Sequence, residues 1–168
     1  MGEALFKVTH DSDKPFVVHT KNSSVNVLGT SFNVKAYADE EHEETVLVSG
    51  KVSLSNKNFW NKPVILEPGQ MGKLNPGTDF IKVQKVDISA YTSWTEGYLI
   101  FKNEIAKEVL QQISRYYNKK IVVKDNANYV TFTGKLDLSE DFDVILKRIT
   151  KASSLRYFYK DDRIIIKQ

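Results

Sequence analysis

The spacing of apolar residues changes period once along this 168-residue chain, and that change restricts the fold more than any other feature. Up to Asp87 the sequence offers short β-branched runs at 16–20, 24–28, 32–37, 45–48 and 51–54. Several alternate apolar with polar residues, the period of a strand with one face in a core and the other in water. Turn-forming groups separate them: Lys21-Asn22-Ser23, Leu28-Gly29-Thr30, Ser49-Gly50, Glu67-Pro68-Gly69 and Asn75-Pro76-Gly77. Strands this short at this spacing predict a sandwich, barrel or β-solenoid. No helical stripe occurs in this half.

The second half has the other period. Gly97-Tyr98-Leu99-Ile100-Phe101 predicts a strand, and Asn103 the N-cap of a helix with Glu104 in its first turn, where the dipole favours an acid. Ala106, Val109, Leu110, Ile113 and Tyr117 form one apolar stripe, Asn118 ends the helix, and Ile121-Val122-Val123 resumes a strand. A second round follows: a strand at 130–133, Ser139 as N-cap, and a stripe of Phe142, Ile145, Leu146 and Ile149. Residues 155–159 and 163–166 close the chain as a hairpin over Lys160-Asp161-Asp162. The two rounds superpose at an offset of 36 residues, matching Leu110 with Leu146, Ile113 with Ile149, Glu104 with Glu140, and Lys124-Asp125 with Lys160-Asp161. Two rounds are too few for a solenoid. The expected architecture is therefore a β-rich domain over 1–86, solenoid-like or sandwich-like, and a small α+β domain over 97–168 made of a duplicated βαβ unit. Residues 87–96 are expected as a short docked helix ending near Gly97, with Ile88, Tyr91 and Trp94 on its buried side.

Composition removes most chemistries. With no cysteine there is no disulfide, thiolate metal site or thiol nucleophile. No apolar run is long enough to span a bilayer and no signal peptide is read at the start. The net charge of +3 is too small for a polyphosphate binder, and its distribution is uneven: −1 over residues 1–91 and +4 over 92–168. His10, His19 and His42 lie near Asp11, Asp13 and the acidic run Asp39-Glu40-Glu41-His42-Glu43-Glu44, yet no ligand spacing joins them. That run is expected as a solvated hairpin tip. Nucleophile elbows, phosphate loops and dinucleotide fingerprints are all missing. Gly69-Gln70-Met71-Gly72 spells the GxxG of a KH domain but follows a strand rather than joining helices, so it is read as a turn. Tyr157-Phe158-Tyr159 is assigned to core packing. The expectation is a protein that is not an enzyme, with no catalytic residue, metal, cofactor or nucleic-acid partner.

What remains is surface. Arg115, Lys119 and Lys120 surround the end of the first helix, and Lys147, Arg148 and Lys151 follow the second stripe. Solvated helix faces account for most of these, with cations favoured at the C-terminal end of the dipole. The sharper reading is a patch that steers an acidic protein partner. A small open sheet also has edges that accept a strand from another chain.

Several stretches, taken in order, resemble the periplasmic region of FecR-type anti-sigma factors: Gly2-Glu3-Ala4-Leu5-Phe6-Lys7-Val8, Pro15-Phe16-Val17-Val18-His19-Thr20, and Val27-Leu28-Gly29-Thr30-Ser31-Phe32-Asn33-Val34-Lys35-Ala36-Tyr37. Val48-Ser49-Gly50-Lys51-Val52 and Leu66-Glu67-Pro68-Gly69-Gln70 continue the match. Trp94, Gly97-Tyr98-Leu99-Ile100-Phe101, Asn103, Val109-Leu110 and Arg115-Tyr116-Tyr117 resemble the domain that follows in that family. The resemblance implies a β-rich, solenoid-like first domain and a second domain similar to the short βαβ signalling fold of TonB-dependent transporters and secretins. It also implies a single-pass inner-membrane regulator whose periplasmic part receives a signal from the N-terminal signalling domain of a TonB-dependent outer-membrane transporter. A cytoplasmic segment of such proteins binds an extracytoplasmic-function sigma factor. This sequence opens inside the β domain, so the sigma-binding segment and membrane helix are expected outside it. Within the second half, the strands Ile121, Val122, Val123 and Ile164, Ile165, Ile166 are the expected partner-binding edge, with Arg115, Lys119 and Lys120 steering. Two rival readings are a carbohydrate-binding β module using Phe59, Trp60 and Tyr98 as sugar platforms, and a secretin-like envelope assembly domain that self-associates.

Overall fold

In the computed structural model, which describes residues 2–57, 62–78, 80–124 and 130–168, the chain divides into two units, Met1–Thr92 and Ser93–Gln168. The period-two stretches of the first become nine strands: β1 (Gly2–Lys7), β2 (Phe16–His19), β3 (Ser23–Val27), β4 (Ser31–Ala36), β5 (Glu43–Ser49), β6 (Val52–Asn56), β7 (Val64–Leu66), β8 (Gln70–Leu74) and β9 (Lys82–Lys85), then a short helix α1 (Ser89–Thr92). They form a five-stranded sheet, β1-β4-β5-β8-β9, and a four-stranded sheet, β2-β3-β6-β7. Every pairing in both is antiparallel. Alternation selects the buried faces: Val25, Val27, Val52, Leu54 and Leu66 of one sheet meet Phe32, Val34 and Leu47 of the other. A core between two antiparallel sheets is a sandwich, and the solenoid alternative falls away because, among the described residues of this unit, no strands pair in parallel.

Three details depart from the sequence reading. The acidic run is a solvated tip only in part: Asp39 and Glu41 are exposed between β4 and β5, but Glu43 and Glu44 are buried at the start of β5, and Glu40 pairs with Lys35 at 3.1 Å. Of Gly69-Gln70-Met71-Gly72 only Gly69 is in the turn, at φ +80°, while Gln70 starts β8. Gly72 lies against the opposite sheet, where an added Cβ would come within 2.5 Å of Leu54.

In the second unit a 3-10 helix (Ser93–Glu96) precedes β10 (Tyr98–Ile105), α2 (Ala106–Tyr116), β11 (Lys120–Val123), β12 (Thr131–Asp137), α3 (Phe142–Ser153), β13 (Arg156–Lys160) and β14 (Arg163–Lys167). The repeated β-α-β order is as expected, and both stripes are buried. Ala106, Val109, Leu110 and Ile113 of α2, with Ile145, Leu146 and Ile149 of α3, have no exposed surface and share one core with Leu136, Ile164 and Ile166. The helix starts differ from the reading. β10 continues through Asn103, which has φ +55° at a bulge, to Ile105, and α2 is capped by the carbonyl of Val130 accepting from the Ala106 amide at 2.8 Å. A main-chain carbonyl just before β12 thus replaces the side-chain cap. α3 starts after Asp141, whereas Ser139 is held in a turn by the Asp137 carboxylate. Glu104 and Glu140 are accordingly not equivalent, one lying in a strand and the other in a loop.

Candidate functional site

The apolar stripe that docks α2 also sets where its C-terminal end emerges. Tyr117 donates its hydroxyl to the carbonyls of Glu140 (2.8 Å) and Leu138 (3.2 Å), tying that end to the loop before α3. Its ring meets Phe142 at 5.6 Å and Tyr116 at 4.9 Å, and burial raises its pKa. Tyr116 is 55% exposed, and the ammonium of Lys119 stands 5.8 Å over the Phe142 ring. Arg115 is half-buried at this end. Lys120 opens β11 and donates to the carboxylate of Asp162 in the β13–β14 turn, with Arg163 3.8 Å from the other oxygen. The hydrogen bond from Lys120 holds the Asp162 carboxyl below its usual range. The three cations expected to steer a partner lie at one end of the unit, with Lys120 paired to Asp162 and Lys119 over the Phe142 ring.

The expected edge needs correction. The second unit holds a two-stranded sheet, β10-β12, and a three-stranded one, β11-β14-β13, so Ile164, Ile165 and Ile166 form the central strand of the latter, bonded to a parallel β11 on one side and an antiparallel β13 on the other. All three side chains are buried and the main chain has no free donor row, so this strand cannot accept another. Ile121, Val122 and Val123 do lie at an edge: β14 is on one side and, among the described residues, no strand is on the other. The edge missed in the sequence is β13. Tyr157 packs on the core as expected, but Phe158 and Tyr159 are exposed, Tyr159 donating to the Asp143 carboxylate at 2.8 Å. The lysine and arginine positions of β13 and β14 were missed too, although basic residues recurring at i and i+4 in both strands carry the signal.

Elsewhere the histidines are apart: His19 bonds Ser24 at 2.9 Å and His42 pairs with Glu44 at 3.0 Å. Among the described residues no three acidic or histidine side chains converge on a metal position. A largely apolar hollow of about 580 Å³ in the first unit is lined by His10, Pro15, Leu28, Gly29 and Lys51 among others. Tyr98 is covered by the Lys135 ammonium, 3.6 Å from its ring centre, while Phe59 and Trp60 lie outside the described residues. No helix among the described residues is long and apolar enough to cross a membrane.

An antiparallel sandwich followed by an α+β unit of repeated βαβ order defines the class of protein. The chain belongs to the FecR family: the family model described as FecR protein matches residues 1–53, and the one described as FecR, C-terminal matches residues 98–166. Two crystal structures of a putative anti-sigma factor from Parabacteroides distasonis ATCC 8503, at 1.65 and 2.50 Å resolution, share its fold with TM-scores of 0.87 and 0.86. Each is 30% identical, and the alignment covers 99% of this chain and 77% of theirs. No curated protein matches the chain.

Proposed function

We propose that this chain is the signal-receiving part of an anti-sigma factor: a periplasmic region that binds the signalling domain of a TonB-dependent outer-membrane transporter and thereby controls an extracytoplasmic-function sigma factor. The observation that carries the reading is the presence of both family segments, in order, on a chain whose fold matches a putative anti-sigma factor over 99% of its length. The role is one of contact rather than catalysis. Within the second unit, the side of β11 away from β14, through Ile121, Val122 and Val123, pairs with no strand among the described residues and supplies main-chain groups for strand addition. Arg115 and Lys119 at the end of α2 attract an acidic partner.

Titration of the labelled chain with a transporter signalling domain tests this. Amide shifts concentrated in β11 and the end of α2 are the expected result. Saturating shifts confined to β2–β6 would remove the edge assignment, and no shift at millimolar partner would remove the receiver role itself.

A further inference from the structure

The register of the three-stranded β11-β14-β13 sheet sorts its outer face into three rows. Residues opposite one another in paired strands point the same way. Ile121, Val123, Ile164, Ile166 and Tyr157 all pack into the core. The alternate positions face the other way. Lys120 pairs with Arg163 and Arg163 with Lys160; Val122 pairs with Ile165 and Ile165 with Phe158; Lys167 pairs with Arg156. Lys124 continues the third row, since its amide carries the ladder on to the Ile166 carbonyl at 2.9 Å. The outer face is thus an apolar row flanked on each side by three cations, with Asp162 set against one end of the first row.

The dimensions suit one kind of ligand. Four residue steps along a strand separate the cation rows by about 13 Å, and three strands give the apolar row a length of about 10 Å. An α-helix with its side chains is about 10–12 Å across. Two of the three residues of the apolar row are recessed, Ile165 being 8% exposed and Val122 half-buried, while Phe158 is 42% exposed with the Lys167 ammonium 5.5 Å from its ring centre. Lysine and arginine side chains on both flanks are longer than the valine and isoleucine between them. A lipid surface needs apolar groups that project beyond the charges to enter the acyl layer. A trough walled by cations instead fits a ligand carrying its own apolar ridge with acids on either side.

We infer that the outer face of the β11-β14-β13 sheet docks an acidic amphipathic helix of a protein partner, its apolar stripe lying along Val122, Ile165 and Phe158 and its flanking carboxylates reaching the two cation rows. This surface shares Val122 with the β11 edge but uses side chains of the sheet face rather than edge main-chain groups, and it does not depend on the receiver reading.

The test uses the full chain and a synthetic helical peptide about four turns long, with a leucine stripe flanked by glutamates. Binding with amide shifts on the outer-face residues of β13 and β14 is expected. The double variant Lys124→Glu and Lys167→Glu, both positions being exposed, should weaken it at least tenfold, and Phe158→Ser should weaken it independently. A peptide with lysines in place of the glutamates should not bind. The inference is overturned if the acidic peptide does not bind at millimolar concentration, or if the charge-reversed double variant binds it equally well. It is also overturned if vesicles of 30% phosphatidylglycerol bind the chain and displace the peptide, which would make the face a lipid-binding one. Because the transporter-domain titration reads the β11 edge and the end of α2 while the peptide reads outer-face residues of β13 and β14, failure of one leaves the other intact.

Discussion

Replacing Glu43 with alanine should loosen the first unit more than any exposed substitution, because this buried carboxylate joins its two sheets. Glu43 opens β5 in one sheet and accepts four hydrogen bonds from the β2–β3 turn of the other: Thr20 Oγ1 at 2.5 Å, Ser23 Oγ at 2.9 Å, and the Asn22 amide and side-chain nitrogens at 3.1 and 2.9 Å. Hydrogen bonds to a charged acceptor each contribute about 1.5–3 kcal/mol net. They are not additive here. Asn22 is half-exposed, so water replaces part of what it loses, and the buried carboxylate carries a desolvation cost that its removal relieves. Ser23 is 2% exposed and keeps Thr20 as a partner. What remains is about 3 kcal/mol for Glu43→Ala. Glu43→Gln preserves one carbonyl for Asn22, and the hydroxyls of Thr20 and Ser23 can rotate to accept from its amide, so it should cost about 1 kcal/mol. The Tm of this unit should fall roughly 12–24 °C for alanine. Protected amides of β3 and β5 should exchange about 150-fold faster, the factor for 3 kcal/mol if they exchange through global opening. Thermal unfolding followed by calorimetry, with hydrogen exchange to localise the change, decides the matter. A loss under about 1 kcal/mol for alanine, or equal losses for alanine and glutamine, would refute the latch.

The buried ion cluster of the same unit predicts a pH dependence. Burial pulls the Lys35 ammonium down, but Glu40, Glu44 and Glu3 outweigh it and leave its pKa raised. Its stabilisation is therefore complete below the ordinary lysine value of about 10.4 and is lost as pH rises through the elevated one. Burial pushes Glu44 up, but the hydrogen bond from His42 with Lys35 and Lys73 nearby lowers it, so its contribution holds at neutral pH and disappears in acid. Lys35→Met should cost about 3 kcal/mol at pH 7 and flatten the alkaline limb of the stability profile, measured by urea unfolding from pH 3 to 11. Gly29→Ala and Gly50→Ala should each cost about 1–3 kcal/mol: an alanine Cβ at 29 would meet the His10 Cα at 2.5 Å, and position 50 requires φ +92°. Ile149→Ala, at a position with no exposed surface, should remove about 2–5 kcal/mol from the second unit. Amide protection in β3–β6 should persist while that of β14 falls.

The alternation of Ser24-Val25-Asn26-Val27 and the stripe of Val109, Leu110 and Ile113 were enough to assign strand and helix and to name their buried faces, because both are local geometry. Period two or 3.6 sets which side chains share a face before any neighbour is known. The hairpin over Asp161-Asp162 was legible for the same reason. Strand neighbours are another matter: alternation says that Ile164 and Ile166 face a core, but not that β14 lies between β11 and β13, since sheet order depends on residues forty positions apart. Capping was equally non-local, the α2 start being satisfied by Val130, just before β12, rather than by Asn103. So was the acidic run, where partners from the β2–β3 turn, β3, β4 and β8 draw Glu43 and Glu44 out of water. Residue order set the faces of this protein; pairing between distant strands decided which of those faces meet a core, and which remain open to a partner.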